Sequence, residues 1–153
     1  MEEKHVFSLR SEWIGDGDGD GSMSAEDRCF DYGRPASLGG TPGRTNPEEL
    51  LTAAVASCYT ITLAVMAEGR RLPITRIDME AEGEIIRQPD RSLKFTAIRL
   101  KPRITVAGDE TQQKKALDAA HRAEEHCLIS KTLRGNVDIT LEPVILPAEI
   151  LNP

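Results

Sequence analysis

Apolar and polar positions change rhythm several times along the chain. From residue 5 to 45 short apolar pieces, Val6-Phe7-Ser8-Leu9, Trp13-Ile14 and Cys29-Phe30-Asp31-Tyr32, alternate with stretches rich in Gly, Pro, Asp and Ser. That pattern predicts short strands joined by turns. From Leu50 to Ala67 nearly every residue is apolar or small. Ahead of it, Asn46-Pro47-Glu48-Glu49 supplies an N-cap, a proline at the first helical position and two acids at the positive end of the dipole. A helix is predicted over about 47–69, ending near Gly69 with Arg70 and Arg71 at its negative end. Period-two alternation follows in Ile74–Ile86 and more clearly in Leu93–Val106, and Gln88-Pro89-Asp90-Arg91 turns one into the other as a hairpin. Asp109 then caps a second helix to about His126, with an apolar stripe of Ala116, Leu117, Ala120 and Ala123. Gly135 marks a stop, and Val137, Ile139 and Leu141 form a last strand. The order implies an α+β fold in a single domain over 1–153, with an N-terminal hairpin region at about 5–45 and a helix–sheet core at about 46–146.

The first helix has no polar stripe, and a helix that is hydrophobic all round is expected to be buried. One sheet and one amphipathic helix leave part of it uncovered, so a homodimer that buries it is expected. The 153 residues carry 39% hydrophobic and 29% charged side chains and a net charge of −6. That balance disfavours a nucleic-acid backbone as partner, which needs a basic face. No basic amphipathic stretch points to a membrane surface. The apolar run Leu50–Met66, interrupted by Thr52, Ser57, Thr60 and Thr62, falls short of the ~20 residues of a membrane span. The acidic start Met1-Glu-Glu-Lys-His is not a secretory signal, and the expected location is the cytoplasm.

Candidate chemistry begins with "WIGDGDGDGSM", residues 13 to 23. Asp16, Asp18 and Asp20 take the first, third and fifth places of a calcium-loop template, Gly21 the sixth and Asp27 the twelfth. The flanking segments read as strands, whereas such a loop needs helices. An exposed hairpin turn with at most weak cation affinity is the expectation. The cysteines Cys29, Cys58 and Cys127 form no CxxC pair and are too few for a secreted disulfide scaffold. His121 and His126 lie five apart, offset by about 140° on a helix, and read as solvated residues rather than zinc ligands. Cys29 is expected to fill core space, as are Tyr59 and Met66, while Glu124-Glu125 and Arg70-Arg71 read as solvated helix ends. Each of Cys58 and Cys127, taken alone, behaves by default as a small buried hydrophobe.

Together their contexts say more. "TNPEELLTAAVASCYTITLA" followed downstream by "AEEHCLISKTLRGNVDITLE" resembles the OsmC/Ohr family of osmotically inducible and organic hydroperoxide resistance proteins, over residues 36 to 142. The chain is closer to the OsmC-like branch. The resemblance implies an OsmC-like fold and an intertwined homodimer with the cysteine-bearing helices at its centre. It also implies a thiol peroxidase that uses no cofactor or metal. Cys58 would be the peroxidatic thiolate that reduces organic hydroperoxides to alcohols, and Cys127 would resolve its sulfenic acid as a disulfide. A lipoyl-type dithiol would be the electron donor. Glu48 would orient an arginine that holds the thiolate. Residues 11 to 27 contain no arginine, where the organic hydroperoxide branch keeps its own. Arg34 and Arg44 are the nearest candidates, and Arg34 is preferred because Arg44 sits beside the Asn46 cap. Ten residues of helix separate Glu48 from Cys58 by ~15 Å, so Glu48 is expected to serve the partner subunit's Cys58. The alternative is a relative of the same fold that binds a hydrophobic ligand or performs another thiol exchange.

Overall fold

Antiparallel pairing of three short strands organises the first of two compact units in this computed structural model, which describes residues 3–149. Strands β1 (Arg10–Ile14), β2 (Asp20–Ala25) and β3 (Arg28–Tyr32) lie in that order in one sheet. The Asp-Gly run is the β1–β2 turn. Gly15 takes φ 103°, a conformation that costs a residue without a β-carbon little, and Gly19 N–H closes on Asp16 O at 3.0 Å. The Asp16 carboxylate bonds the Asp18 amide at 3.0 Å, and the Trp13 indole donates to Asp16 O at 2.8 Å. Opposite, the Tyr32 ring lies 5.8 Å from that of Trp13 and its hydroxyl meets Ser11 Oγ at 2.8 Å. The strand expected at Val6–Leu9 does not form. Among the described residues no strand pairs with it beyond Arg10↔Ser24, where β2 ends at Ala25 and Glu26 turns with φ 54°. Val6, Phe7 and Leu9 are exposed.

Helix α1 (Pro47–Gly69) starts as the cap predicts, with Asn46 Oδ1 accepting the Glu49 amide at 2.9 Å. It stops at a left-handed Arg71, φ 54°, where Leu72 N–H returns to Ala67 O at 2.9 Å, the closure of a Schellman end. Only one stripe of it is buried: Val55, Tyr59, Leu63 and Ala67. Ile61 and Val65 are each 63% exposed, so burial on all sides is not achieved within one chain. The run read as too short for a membrane belongs to a 23-residue helix that is, by length and composition, long and apolar enough for one. The flanking Pro47–Glu49 and Ala67–Gly69 supply the extra turns.

The second unit is built around β5. Strands β4 (Ile74–Arg87) and β5 (Leu93–Val106) form the expected antiparallel hairpin. Strand β6 (Asp138–Leu141) runs parallel to β5 at Ala97–Leu100, and β7 (Val144–Pro147), not anticipated from the pattern, runs parallel to it at Arg103–Val106. The inward residues Ile98, Leu100, Ile104 and Val106 are fully buried with α1's stripe. Each such side chain contributes roughly 1.5–3 kcal/mol. Where α1 passes β4, Gly83 makes room: a β-carbon there would overlap the Thr52 side chain and come within 2.7 Å of the Phe95 ring.

Helix α2 (Glu110–His126) is capped by Asp109, whose carboxylate accepts the Gln112 amide at 3.0 Å. Its buried face is Ala116, Ala119, Ala120 and Ala123. Leu117, expected in the stripe, is exposed, and Ala119 takes its place. Small residues bring the helix close to its neighbours: the fully buried Tyr59 donates its hydroxyl to Ala120 O at 3.1 Å. A further short helix, α3 (Leu128–Leu133), fills what read as a turn before Gly135.

Candidate active site

Cys58 lies near the middle of α1, one residue from Tyr59, and is partly exposed. Cys127 occupies the corner between α2 and α3, fully buried, and serves as the backbone N-cap of α3. Its N–H returns to Glu124 O at 3.3 Å. The corner is braced by Arg134, whose guanidinium meets the Glu124 carboxylate at 3.1 Å. Glu124 is therefore a mostly covered ion-pair partner and not the solvated helix end expected of it. Arg70 likewise pairs with Asp118 at 3.1 Å.

This corner delivers donors to the Cys58 sulfur. Burial pushes the Cys58 thiol up, but the Ile129 N–H, the Cys127 thiol, the Leu128 N–H and the Thr62 hydroxyl together bring it below its ordinary value. Hydrogen bonds to the charged form favour it. The Leu128 and Ile129 amides belong to the first turn of α3, where backbone donors have no intrahelical acceptor. Thr62's single proton is shared, since its Oγ1 also lies 2.8 Å from Cys58 O. Cys127 moves the opposite way. Burial raises its thiol, the Ser130 hydroxyl and amide partly offset that, and the adjacent Cys58 raises it further. The two thiols are thus shifted in opposite directions, Cys58 down and Cys127 up, so Cys58 is the one that ionises more readily. Both thiols are free, and their contact is what disulfide formation requires.

The other candidates are placed as follows. Arg34 donates to Asp18 Oδ1 at 2.5 Å and to Gly39 O at 2.8 Å. Arg44 pairs with Asp20 and donates to Gly19 O at 3.2 Å. The Asp-Gly turn thus spends two carboxylates on the two arginines proposed for the thiolate, and the third on its own backbone. Glu48 sits in the first turn of α1 with Oε2 shielded from solvent. Cys29 is exposed on β3 and fills no core; its unit packs through an aromatic pair and hydrogen bonds instead. Met66 is partly buried against the core, while His121 and His126 face solvent. Thr62, Ser130 and the Leu128 and Ile129 amides were not picked out from sequence. The Cys127-x-x-Ser130 spacing, N-cap to third helical residue, is the signal that marks the last three.

Comparison with known proteins finds relatives of this chain and of its fold. The family model described as OsmC-like protein matches residues 40–142. The Bacillus subtilis (strain 168) uncharacterized protein YmaD is 33% identical over 142 residues, covering 90% of this chain and 93% of its own. The organic hydroperoxide resistance protein OhrB of the same organism is 29% identical, covering 80% and 88%. Among solved structures, an organic hydroperoxide resistance protein OsmC from Legionella pneumophila superposes with TM-score 0.75 at 27% identity, covering 92% of this chain and 99% of that one.

Proposed function

The chain belongs to the OsmC-like protein family, and from that membership we propose that it is a thiol-dependent peroxidase that reduces organic hydroperoxides to alcohols. The Cys58 thiolate attacks the outer oxygen of the hydroperoxide. The O–O bond breaks, the alkoxide leaves as alcohol once protonated, and Cys58 becomes a sulfenic acid. Cys127 then attacks the Cys58 sulfur, water leaves, and a disulfide remains for a dithiol of lipoyl type to reduce. The observation that carries this reading is the sulfur pair itself: Cys58 is partly exposed and meets the Leu128 and Ile129 amides, which favour its thiolate, while the Cys127 thiol beside it is fully buried, which raises it.

Purified protein should consume cumene or tert-butyl hydroperoxide with dihydrolipoamide as reductant, and mild oxidation should join Cys58 to Cys127. A rate no faster than that of a free thiol, or no disulfide under excess hydroperoxide, would reject the proposal. On the strength of the resemblance, Arg34 enters as the cation for the thiolate and Glu48 as the carboxylate that orients it. Arg34→Met should then lower kcat/KM about tenfold or more, the scale of a charge-assisted hydrogen bond. Equal losses in Arg34→Met and Arg44→Met would remove that assignment.

The active form is proposed to be a homodimer. Supporting this, α1 leaves Ile61 and Val65 each 63% exposed on an otherwise apolar helix, and exposed apolar surface of this kind marks an interface. Sedimentation should give twice the chain mass. Mixed Glu48→Ala and Cys58→Ser chains should regain activity if Glu48 serves the other subunit; hybrids as inactive as their parents would reject the sharing.

A further inference from the structure

The side chain of Ser130 is fully buried, and among the described residues its hydroxyl makes no formed hydrogen bond. Burying a hydroxyl in that state is destabilising, and alanine would occupy the place without the penalty. The group it stands beside is the Cys127 sulfur, three residues earlier across the first turn of α3. Cys127 as a neutral thiol makes no formed cap bond to that turn either. The hydroxyl thus stands close enough to the sulfur to offset part of the rise of its thiol, yet forms no bond of full hydrogen-bond geometry to it.

The two sulfurs also differ in access. Cys58 is partly exposed and Cys127 is fully buried. Once they are joined, an incoming thiolate must approach in line with the bond it breaks, and within one chain it is the Cys58 side of the pair that is partly exposed. Leaving-group chemistry alone favours the opposite outcome, because the better-stabilised thiolate leaves faster, and the donors of Leu128, Ile129 and Thr62 stabilise Cys58. Burial of Cys127 opposes that route, which leaves the poorer leaving group to depart from a buried corner.

We propose that the dithiol attacks Cys58, and that the Ser130 hydroxyl is the catalytic donor that receives Cys127 as it leaves. The reductant's thiolate forms a bond to the Cys58 sulfur as the Cys58–Cys127 bond breaks, and the electron pair of that bond moves to the Cys127 sulfur, to which the neighbouring Ser130 hydroxyl then donates. The reductant's second thiol then displaces Cys58 and leaves as a cyclic disulfide. The dithiol is oxidised by two electrons and the protein disulfide is reduced by two. A donor already in place for charge that appears only during reaction needs no reorganisation at that moment. This inference rests on the two-cysteine reading above.

The test uses the full chain oxidised with diamide, so the disulfide is made without hydroperoxide turnover. Failure of the peroxidase reading would then show separately, as absent hydroperoxide consumption. Reduction by dihydrolipoamide, followed by stopped-flow, should slow about tenfold to a hundredfold in Ser130→Ala and recover most of its rate in Ser130→Thr. In the Cys58→Ser chain, adding Ser130→Ala should move the thiolate ultraviolet titration of Cys127 upward, an effect that a merely structural role would not produce. With the wild-type chain, which needs no variant to fold, a monothiol such as 2-mercaptoethanol should give a mixed disulfide on Cys58 with Cys127 free, read by peptide mass. Reduction of Ser130→Ala at the wild-type rate, or a monothiol adduct on Cys127, would overturn the proposal.

Discussion

Replacing Cys58 by serine is expected to lower hydroperoxide consumption by roughly three orders of magnitude or more, the scale on which removal of a nucleophile fails in a catalytic unit. The hydroxyl that results would sit among the same donors, but an alcohol does not ionise in water near neutral pH and its oxygen is a weak nucleophile toward peroxide. The donors of Ile129, Leu128, Cys127 and Thr62 act on charge, and without ionisable sulfur there is none to stabilise. A pH profile of the wild-type chain sharpens the prediction. Because Cys58 lies below the ordinary thiol value, the thiolate persists as pH falls through the range where a free thiol is already protonated, and is lost only below its own lowered value. The rate of the peroxide step should therefore hold over that interval. A rate that falls already at the ordinary thiol value would show that the donors leave the sulfur unperturbed. A Cys58→Ser chain retaining a tenth of wild-type activity would place the chemistry elsewhere.

Tyr59→Ala is expected to destabilise the fold by about 3–5 kcal/mol, the usual cost of truncating a large buried aromatic. Tyr59 is fully exposure-free, and its hydroxyl donates to Ala120 O at 3.1 Å, tying the helix of Cys58 to the helix that ends at Cys127. Burial first, and Glu124 and Cys127 second, raise its hydroxyl well above the usual tyrosine range, so it stays a donor throughout neutral pH. Tyr59→Phe keeps the packing and loses one hydrogen bond, at about 1 kcal/mol. Since a domain of this size has about 5–15 kcal/mol of stability in all, the alanine chain should show a large fall in urea midpoint and the phenylalanine chain a small one. Equal, small shifts in both would mean that the ring contributes little packing.

What was legible beforehand follows the range of the forces involved. The start of α1 was readable because Asn46 and Glu49 are three residues apart and close their bond without tertiary help. The β4–β5 hairpin and the Asp109 cap were readable for the same reason. The second-unit strand β7 was not, since Val144–Pro147 gains its partners only by lying along Arg103–Val106, forty residues earlier in the chain. Nor was the exchange of Leu117 for Ala119 in the buried face of α2, which depends on how closely a helix of small residues approaches its neighbours. Val6–Leu9 failed in the other direction: strand-like composition joined no edge among the described residues, and Cys29 lies exposed on β3.

By itself the sequence determined the helix and strand periods, their caps and turns, and the two cysteine contexts that resemble one family. These are local, set by neighbours within a few residues. Only the tertiary structure decided which sulfur ionises more readily. Apart from Thr62 on the same helix, the donors that lower Cys58 come from residues 127 to 129, some seventy positions along the chain, and Cys127 is raised because folding removes it from water. The same holds for the Asp-Gly turn. As a string it suggests a cation loop, but its carboxylates at 18 and 20 are taken by Arg34 and Arg44. A residue's charge state is a property of the groups that fold against it, and no spacing along the chain contains those distances.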